Sequence, residues 1–512
     1  MTVDRDRGEL AILLHSHMPY VEGFGTWPFG EEWLFEAAAS TYVPLLEQCE
    51  RWADQETTGV LTVGVTPVLS DQLVLPDVAE RLVRFVRDVR SDCHRLDIDG
   101  LERAGDSKAA DALRESARDY EHAADYYEEL DRDLIGALRR FRDAGVIDLW
   151  ASAATHAILP LLATEAGIGL QVLTGIDSHR ARFGTWTGGF WLPECAYRAD
   201  IGPQLAQAGV RTFCVDQTTG GHSLDQLEPV AVEGGAAALP IDWQTIALIW
   251  DDRGYPADPV YRDYHAPSIN GVRPWANSGR PYDRVAASQR AREHAADFVA
   301  RVTDRLDTYR TERGRPGLLV CALDTELLGH WWYEGPTWLA AVVEESRRTG
   351  LALATLPDAL ERHDPQERQL RPSSWGDGKG LDTWDSPRVA PLLWPARRAE
   401  LALVAALSGD GAEAGGSSHA SNGAAERAAR ELLALQSSDW AFMSTRELAA
   451  DYPDRRVAAH TQEFDRALAS IRGDVRDSRG MRESNGDPKL RGLAPGLRLS
   501  ALRAPSSAWG RS

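Results

Sequence analysis

The stretch GLLVCALDTELLGHWWYEGP, residues 317–336, joins an almost unbroken apolar run to acids and a cluster of indoles. A continuous apolar run of this length is typical of a strand that is buried on both faces, as in parallel sheets covered by helices. Acids beside indoles make a poor core but a suitable lining for a cleft that binds a polar ligand. The stretch therefore predicts a buried parallel strand that delivers Asp324 and Glu326 into a cleft.

Seven further runs of this kind occur within the first 360 residues: ELAILLHSH, GVLTVGVTPVL, VIDLWASAATHAIL, GFWLPECA, VRTFCVDQ, AALPIDWQTIALIW and LALATL. Many are followed by helical segments, and this alternation favours a parallel α/β barrel over an antiparallel sandwich. The active site of an α/β barrel lies at the carboxyl ends of its strands. Polar side chains occupy those ends in this sequence: His15, His17, His156, Glu194, Asp216 and Asp324.

Three other regions interrupt or follow the predicted barrel. Residues 74–145 are charged and helically periodic, which indicates a helical insertion within a barrel domain of residues 1–394. Residues 395–472 predict a helical C-terminal domain with a flexible small-residue linker at about 408–424. Residues 475–512 lack periodicity and are rich in Arg, Gly, Pro and Ser, which predicts a disordered tail.

The charge balance of the 512 residues argues against several classes of partner. Lys plus Arg total 56 against 77 Asp plus Glu, a formal net charge of −21, which disfavours nucleic acid and anionic membranes. No apolar run reaches the ~18 residues of a membrane helix, and the N-terminal stretch lacks the features of a signal peptide. Five scattered cysteines fit reduced thiols. We expect a cytoplasmic enzyme, a monomer or small homo-oligomer, with a neutral substrate.

His15 and His17 lie two residues apart at the end of the first predicted strand, so their side chains point to the same side. Such a pair could hydrogen-bond a sugar, share a metal ion, or consist of two capped surface histidines. A metal site needs further ligands, and CxxC and HExxH spacings are absent from the sequence. A metal-dependent, deacetylase-like barrel is the alternative from a different functional class.

Glu194 and Asp324, on separate predicted strands, form a possible catalytic pair. Most glycoside hydrolases use two carboxyl groups, one to protonate the leaving oxygen and one to attack or to activate water. Glu194 follows Pro193 beside Trp191, where a helix-capping role is the alternative. Asp324 and Glu326 share one face of their strand, so one could act and the other support it. The alternative for Asp324 and Glu326 is a structural role, in which the acid bonds a neighbouring Trp or His.

Several of the seventeen tryptophans are predicted to form walls of the cleft. Indole faces suit the faces of sugar rings. Trp331 lies beside the acids of the opening stretch, Trp375 and Trp384 flank the Gly-rich segment SWGDGKG, and Asp439-Trp440 follows in the C-terminal domain. Packing in the core is the alternative for any single one of these tryptophans.

Five motifs together resemble glycoside hydrolase family 57: HSHMPY, SAATHA, FWLPECAY, LDTELLGHWWYEGP and SSWGDGKGLDTW. The similarity extends over about residues 8–470. The helical domain that carries DWAF resembles that of the family's 1,4-α-glucan branching enzyme subgroup. The resemblance implies a distorted (β/α)7 barrel with a helical insertion and a helical C-terminal domain.

The resemblance also implies a reaction and a set of site residues. Glu194 would be the nucleophile and Asp324 the general acid/base of a retaining transglycosylase that cleaves an α-1,4-glucan and makes an α-1,6 branch. A 4-α-glucanotransferase or α-amylase of the same family is the alternative. No metal and no organic cofactor are implied. The residues implied to contact the glucan are His15, His17, His156, Trp191, Arg262, Gly279, Trp384 and Asp439.

The sequence departs from this subgroup in one loop. Its branching enzymes carry a tyrosine after the nucleophile strand that is thought to keep water from the glycosyl-enzyme. Here no tyrosine occurs between Tyr197 and Tyr255. Transfer of the glucan to a sugar hydroxyl would then proceed without this shield against water.

Overall fold

A computed structural model describes residues 5–218, 223–408, 419–473 and 490–503, without the side chains of 419–422. Residues 409–418 of the linker predicted at about 408–424 and most of the predicted tail lie outside these residues, whereas residues 419–424 are helical and not a linker. The described strands are β1 (Gly8–Ser16), β2 (Leu61–Val65), β3 (Ile147–Ser152), β4 (Gly189–Trp191), β5 (Thr212–Val215), β6 (Val230–Ala231), β7 (Ala237–Pro240), β8 (Gly317–Asp324), β9 (Ala352–Leu353) and β10 (Gln366–Glu367).

The ten strands form one sheet in the order β10-β6-β7-β5-β4-β3-β2-β1-β8, and β9 pairs with β1. Strands β1 to β5, β7 and β8 pair in parallel with one another, whereas β6 is antiparallel to β7. The backbone N–H of Asp242, which follows β7, donates to the carbonyl oxygen of Val320 in β8 at 2.8 Å. This bond links the two ends of the seven-stranded array and confirms the predicted (β/α)7 barrel.

All eight apolar runs of the sequence correspond to strands, whereas β6 and β10 have only two residues each and leave no apolar pattern to detect. The helices alternate with the strands or extend from them. They are α1 (Glu31–Ala37), α2 (Val43–Asp54), α3 (Pro67–Leu73), α4 (Pro76–Arg84), α5 (Ser91–Arg103), α6 (Ser107–Glu129), α7 (Leu134–Asp143), α8 (Glu165–Phe183), α9 (Ile201–Gln207), α10 (Trp243–Trp250), α11 (Arg284–Arg313), α12 (Gly335–Thr349), α13 (Leu356–Leu360), α14 (Ala390–Ser408), α15 (His419–Leu435), α16 (Asp439–Arg446) and α17 (Tyr452–Arg472).

Helices α4 to α7 lie between β2 and β3, as the charged helical pattern of this region predicts. Two π-helical stretches, Ala38–Tyr42 and Phe85–Arg90, connect α1 to α2 and α4 to α5. Helices α14 to α17 form the helical C-terminal domain. Within the described residues, no helix has both the length and the apolar character needed to cross a membrane.

The strand register places the predicted site residues side by side. His15 of β1 lies opposite Asp324 of β8 and, on its other side, opposite Gly64 of β2. Ser152 of β3 pairs with Trp191 of β4, and its hydroxyl donates to the Trp191 carbonyl oxygen at 2.9 Å. Because these strands are parallel, their carboxyl ends open on the same side of the barrel.

The C-terminal domain packs directly on the barrel through an apolar core. Leu403, Leu432 and Phe464 are fully buried there with Leu170 of α8. Buried polar groups join the same interface, because the Gln171 amide donates to the side-chain oxygen of Gln436 at 2.9 Å. The domain is therefore held rigidly over the strand ends where the candidate site lies.

The prediction of a disordered tail is wrong for residues 490–503. Leu490, Leu493 and Leu502 are each at most 2% exposed and belong to the apolar core under α14 to α17. The backbone N–H of Ala494 donates to Asp71 of α3 at 2.8 Å. Arg498 donates its backbone N–H to Thr174 of α8 at 3.0 Å. This segment is a strap across α3 and α8, and its leucines lacked a regular period in the sequence.

Candidate active site

The carboxyl ends of β1, β3, β4 and β8 bring together most of the side chains predicted from the sequence. The loop after β10 and the start of α16 complete the cluster. Its members are His15, His17, His156, Trp191, Glu194, Asp324, Trp375 and Asp439. Within the described residues, no set of three or more His, Cys, Asp or Glu side chains is arranged to hold a metal ion.

Glu194 is presented by a strained turn directly after β4. Its φ is 59° and that of Cys195 is 51°, so two consecutive non-glycine residues adopt the left-handed region. Such conformations cost roughly 1–3 kcal/mol each and cluster at functional sites. The turn is closed by the Cys195 N–H, which donates to the Leu192 carbonyl oxygen at 2.9 Å. The strain turns the Glu194 carboxyl out of the strand direction and into the cleft.

Trp375 holds Glu194 at both its backbone and its side chain. The Trp375 backbone N–H donates to the Glu194 carbonyl oxygen at 2.9 Å. The indole Nε1–H donates to Glu194 Oε2 at 2.6 Å. The same indole packs edge-on against Trp191, with ring centroids 4.9 Å apart. A hydrogen bond to a carboxylate favours its ionised form, so Trp375 both orients and partly stabilises a negative Glu194.

The Glu194 and Asp324 carboxyls are both desolvated, and the charge of Asp324 affects the pKa of Glu194. Burial, with a smaller contribution from the charge of Asp324, raises the pKa of Glu194 to about 8 despite the lowering effect of the Trp375 hydrogen bond. Burial also raises the pKa of Asp324 to about 7, while His17 lowers it. Because both carboxyls are desolvated and their charges repel, the pair shares one proton near neutral pH, and the Trp375 N–H bond to Glu194 favours the form in which Asp324 holds it. One carboxylic acid beside one carboxylate is the arrangement that acid-assisted nucleophilic attack requires.

Three histidine rings form a stack on one wall of the cleft. His15 and His156 approach through their Nε2 atoms at 3.0 Å, and the His17 and His156 ring centroids are 4.0 Å apart. The His15 ring also lies over Trp191, with centroids 4.6 Å apart. Burial holds the pKa values of His15 and His156 well below the usual value, so both rings are neutral. The His156 Nδ1 lies 3.7 Å from Glu194 Oε1, next to the candidate nucleophile.

Asp439 extends from the first turn of α16 to His17, and so joins the C-terminal domain to the catalytic cluster. Both carboxylate oxygens lie 3.1 Å from His17 Nε2. Burial alone would raise the pKa of Asp439, but His17 lowers it to about 2. Burial would likewise lower the pKa of His17, but the Asp439 charge raises it above its usual value. The pair is therefore a charged imidazolium beside a carboxylate.

Glu326 contacts the backbone of the strand end that carries the histidines. Its Oε1 accepts the backbone N–H of His17 at 3.1 Å and the hydroxyl of Tyr42. Burial raises the pKa of Glu326 to about 7. The stretch Asp324-Thr325-Glu326 thus supplies one acid that faces the cleft and one that fixes the strand bearing the histidines.

Other residues predicted to bind glucan make their contacts elsewhere. The Arg262 guanidinium lies between the rings of Tyr333 and Tyr282, 3.7 and 4.4 Å from their centroids. Gly279 occupies an exposed turn with φ of 72° and no neighbouring atom within 4 Å of where a Cβ would lie. Trp331 packs against Tyr264 with ring centroids 4.7 Å apart. These three residues surround a different part of the molecule from the catalytic cluster.

Trp384 and Trp440 are almost fully buried, at 1% and 2% exposure, so neither ring face is open to a sugar. Trp384 packs in a small apolar cluster beneath Trp375. The Trp440 indole N–H donates to the Ala434 carbonyl oxygen at 2.8 Å inside the C-terminal domain. Their predicted role as cleft walls is therefore corrected to one of packing behind the wall.

Four site residues escaped the sequence reasoning. The Thr66 hydroxyl lies 3.1 Å from His17 Nδ1. The position of Thr66 directly after β2 could have identified it as a site residue. The Ser438 hydroxyl lies 2.9 Å from His156 Nδ1. Tyr42, on Glu326, comes from a π-helical turn that carries no recognisable pattern. Lys379 forms an ion pair of 2.8 Å with Asp216, which had been noticed only as a polar strand end.

Comparison with known protein families places this site in context. Residues 11–371 match the family model described as glycosyl hydrolase family 57. The chain belongs to glycosyl hydrolase family 57. Residues 405–486 match a second model, described as the C-terminal part of 1,4-alpha-glucan branching enzyme.

Relatives of this family member match about nine tenths of the chain. A 1,4-alpha-glucan branching enzyme of Thermococcus kodakarensis is 33% identical over 506 residues, covering 90% of this chain and 73% of the relative. A probable 1,4-alpha-glucan branching enzyme of Mycobacterium tuberculosis is also 33% identical, covering 91% of this chain and 94% of the relative. Similarity at this level extends over both the barrel and the C-terminal domain.

Solved structures show the same architecture. The family 57 branching enzyme of Pyrococcus horikoshii superposes with a TM-score of 0.89 at 30% identity, covering 97% of both chains. The α-amylase AmyC of Thermotoga maritima superposes with a TM-score of 0.82 at 23% identity, covering 98% of this chain and 99% of its own. The second similarity concerns the fold alone.

Proposed function

We propose that the protein is a 1,4-α-glucan branching enzyme, which cleaves an α-1,4 bond and transfers the released chain to a 6-hydroxyl. The observation that carries this proposal is the largely desolvated pair Glu194 and Asp324, in which Glu194 accepts the Trp375 indole hydrogen bond. The full-length relatives named as branching enzymes and the match of residues 405–486 support branching within the family.

In the first step Glu194 acts as the nucleophile. Its carboxylate attacks the anomeric carbon while Asp324 gives its proton to the glycosidic oxygen, so the C–O bond breaks and a covalent glycosyl-enzyme ester forms. Trp375 keeps the attacking carboxylate oriented through its N–H bond. A retaining pair of this kind is expected to lie roughly 5–5.5 Å apart.

In the second step Asp324 acts as a base. It takes the proton from the 6-hydroxyl of an acceptor glucan, whose oxygen attacks the anomeric carbon and breaks the ester to Glu194. An α-1,6 bond results and both carboxyl groups return to their starting states. Two displacements at the same carbon retain the α configuration.

The histidine stack would bind the sugar at the scissile bond. His17 carries positive charge beside Asp439, which suits it to stabilise the ionised Glu194, while its two ring nitrogens bond Asp439 and Thr66. His15 and His156 are neutral and bond each other through their Nε2 atoms, which adds no charge to this wall. This wall would fix the ring while Trp191 and Trp375 limit its movement.

A cytoplasmic role in building a glycogen-like polymer follows as part of the proposal. The five cysteines are unpaired and four of them are buried, which suits a reducing compartment. The substrate would be an amylose- or glycogen-like α-1,4-glucan that is already present there.

Incubation of the protein with amylose tests the branching function. We expect α-1,6 linkages, counted after treatment with a debranching enzyme, to rise while few new reducing ends appear. New reducing ends without branches would instead indicate an α-amylase, and longer linear chains a 4-α-glucanotransferase. If the protein does not turn over glucan but has an activity that a chelator abolishes, the metal-dependent, deacetylase-like alternative is favoured.

The missing loop tyrosine leads to an expectation about side reactions. Because the sequence from 198 to 254 contains no tyrosine, we expect water to reach the glycosyl-enzyme more readily. We expect a measurable share of turnovers to end in hydrolysis alongside branching, seen as reducing ends that accumulate with time in the amylose assay.

A further inference from the structure

Ser438 stands at the N-cap of α16, yet its hydroxyl makes no capping bond to that helix. A serine in this position ordinarily accepts a hydrogen bond from a backbone N–H of the first helical turn. Here the buried hydroxyl lies 2.9 Å from His156 Nδ1, across the boundary between the C-terminal domain and the barrel. The Ser438 side chain is therefore committed to the histidine wall of the candidate site and not to its own helix.

The backbone around His156 is held by the same domain. The His156 φ of 58° lies in the left-handed region, a strained conformation that persists only where its surroundings fix it. The His156 carbonyl oxygen accepts the backbone N–H of Ser438 at 3.3 Å. The neighbouring Thr155 hydroxyl donates to the Leu433 carbonyl oxygen of α15 at 2.5 Å and accepts the Gln171 amide at 2.9 Å. Contacts from both domains thus place the His156 ring.

The contact between His15 and His156 decides which ring nitrogens carry protons. Both rings are neutral and their Nε2 atoms lie 3.0 Å apart, so one Nε2 is protonated and the other accepts. Within the described residues, His15 Nδ1 is buried beside Gly64 without a hydrogen-bond partner. A proton there would be an unpaired buried donor, which folded proteins rarely contain. The His15 proton is therefore assigned to Nε2, which leaves the His156 proton on Nδ1.

The charges around His156 support the same assignment. Glu194 Oε1 lies 3.7 Å from His156 Nδ1, and Asp439 is a second carboxylate that acts on the ring. A nitrogen lone pair that faces a carboxylate is repelled by it, whereas an N–H that faces a carboxylate is attracted. The Nδ1 proton is then donated to the Ser438 hydroxyl oxygen, which is the nearer of its two acceptors.

The two oxygens of the Glu194 carboxylate differ in their surroundings. Oε2 accepts the indole N–H of Trp375 at 2.6 Å. Oε1 accepts no hydrogen bond from the described residues, because His156 Nδ1 stands beyond hydrogen-bond distance at 3.7 Å. A hydrogen bond to a carboxylate oxygen stabilises its charge and makes it a weaker base and nucleophile. Oε1 is therefore the oxygen that is free to attack.

We propose that Ser438 is a positioning residue for the nucleophile, because it holds the Nδ1 proton of His156 away from Glu194 Oε1 and leaves that oxygen unbonded for attack. The inference rests on the proposed function in taking Glu194 as the nucleophile, and it holds for any acceptor of the glycosyl group. Ser438 belongs to the C-terminal domain, so docking of that domain on the barrel sets the reactivity of Glu194.

Ser438→Ala tests the proposal through a pH profile. Without the hydroxyl, the His156 ring donates its Nδ1 proton to Glu194 Oε1 and stabilises the carboxylate, so the pKa of Glu194 falls. The acidic limb of kcat/KM should move to lower pH by about one unit and the plateau should fall roughly tenfold, the size of a hydrogen bond to a charged group. Release of fluoride from α-maltotriosyl fluoride measures this first step, whatever the acceptor.

Two matched variants show whether the hydroxyl or the helix matters. Ser438→Thr keeps a hydroxyl on the same carbon and should retain the acidic limb and most of the rate. Ser444→Ala removes a hydroxyl further along α16 and should change neither. Three other ionisable groups face Glu194 and remain in every variant: Asp324, His17 and Asp439. An acidic limb that stays in place or moves to higher pH in Ser438→Ala would overturn the proposal.

Nuclear magnetic resonance reads the tautomers directly and needs no turnover. In protein with isotope-labelled histidine, two-bond proton–nitrogen correlations distinguish a ring protonated on Nδ1 from one protonated on Nε2. The two rings are identified by the signals lost in His15→Gln and in His156→Gln. We expect a proton on Nδ1 of His156 and on Nε2 of His15, and the reverse pair would overturn the proposal.

The outcome is separable from that of the proposed function. If no α-1,6 branches form but fluoride release shows the shifted limb in Ser438→Ala, this inference holds and the branching proposal fails. If branches form and the limb does not move, the reverse is true.

Discussion

At the scale of single residues, the site depends on how Glu194 is held. Two consecutive left-handed residues, Glu194 and Cys195, turn the carboxyl out of β4, and Trp375 bonds both its backbone and its side chain. The sequence predicted that Glu194 and Trp375 belong to the cleft. It could not show that they bond each other, because 181 residues separate them and only the closed barrel brings them together.

Replacing Trp375 by phenylalanine should shift the pH profile. The indole N–H lowers the pKa of Glu194, so its loss raises that pKa further above its usual value. As the proposed nucleophile, Glu194 must be ionised to attack, and the acidic limb of kcat/KM should therefore move to higher pH. At neutral pH we expect a loss of roughly tenfold or more, the worth of a hydrogen bond to a charged group. Trp394→Phe, at an exposed indole on α14, is the control, and an unmoved acidic limb in Trp375→Phe would contradict this role.

At the scale of elements, the loop of residues 373–384 holds Trp375 in position. Any side chain at Gly376 would come within 2.8 Å of the Trp384 ring, so the loop can lie directly on that buried indole. Lys379 adopts a left-handed φ of 60° and ties the loop to the end of β5 through Asp216. Asp216 is fully buried, and the Lys379 Nζ also lies 3.3 Å from the Trp243 ring centroid.

Lys379→Met should destabilise the protein and lower kcat. It leaves the Asp216 carboxylate buried without its cation, and breaking a buried pair in this way costs about 3–5 kcal/mol. The thermal midpoint should fall, and the double variant with Asp216→Asn should recover most of it because no buried charge remains. Lys108→Met, at an exposed lysine on α6, is the matched control. A Lys379→Met variant as stable as Lys108→Met would show that this ion pair does not hold the loop.

Elements were predictable where their pattern was regular. The parallel strands followed from apolar runs, and the insertion helices from charged helical periodicity. The π-helical turn that carries Tyr42 has no pattern of its own, and its contact with Glu326 spans 284 residues. Trp384 and Trp440 were assigned to the cleft because composition does not distinguish an indole facing a ligand from one packed behind the wall.

At the scale of the whole molecule, the C-terminal domain takes part in the site as well as closing it. Asp439 and Ser438 at the start of α16 contact His17 and His156, which belong to the barrel. The strap of residues 490–503 then covers α3 and α8, which pack behind these strands. The barrel and the C-terminal domain should therefore unfold together.

Leu493→Ala tests the strap. Leu493 is 1% exposed, and its truncation should lower the free energy of unfolding by about 2–5 kcal/mol, as for other buried leucines. We expect a lower midpoint in one cooperative thermal transition followed by calorimetry. Leu448→Ala, at a leucine that is 52% exposed, should change the midpoint little. An unchanged midpoint in Leu493→Ala would mean that the strap does not contribute to the folded core.

Trapping the glycosyl-enzyme tests the central claim most directly, namely that Glu194 is the nucleophile of a double displacement with Asp324 as acid and base. In an Asp324→Asn variant, α-maltotriosyl fluoride can still react because fluoride leaves without an acid, whereas the second step lacks its base. We predict a protein mass raised by one maltotriosyl group, and peptide mapping should place the group on Glu194. A label on any other residue, or rapid formation of a β-configured product without a label, would contradict the account.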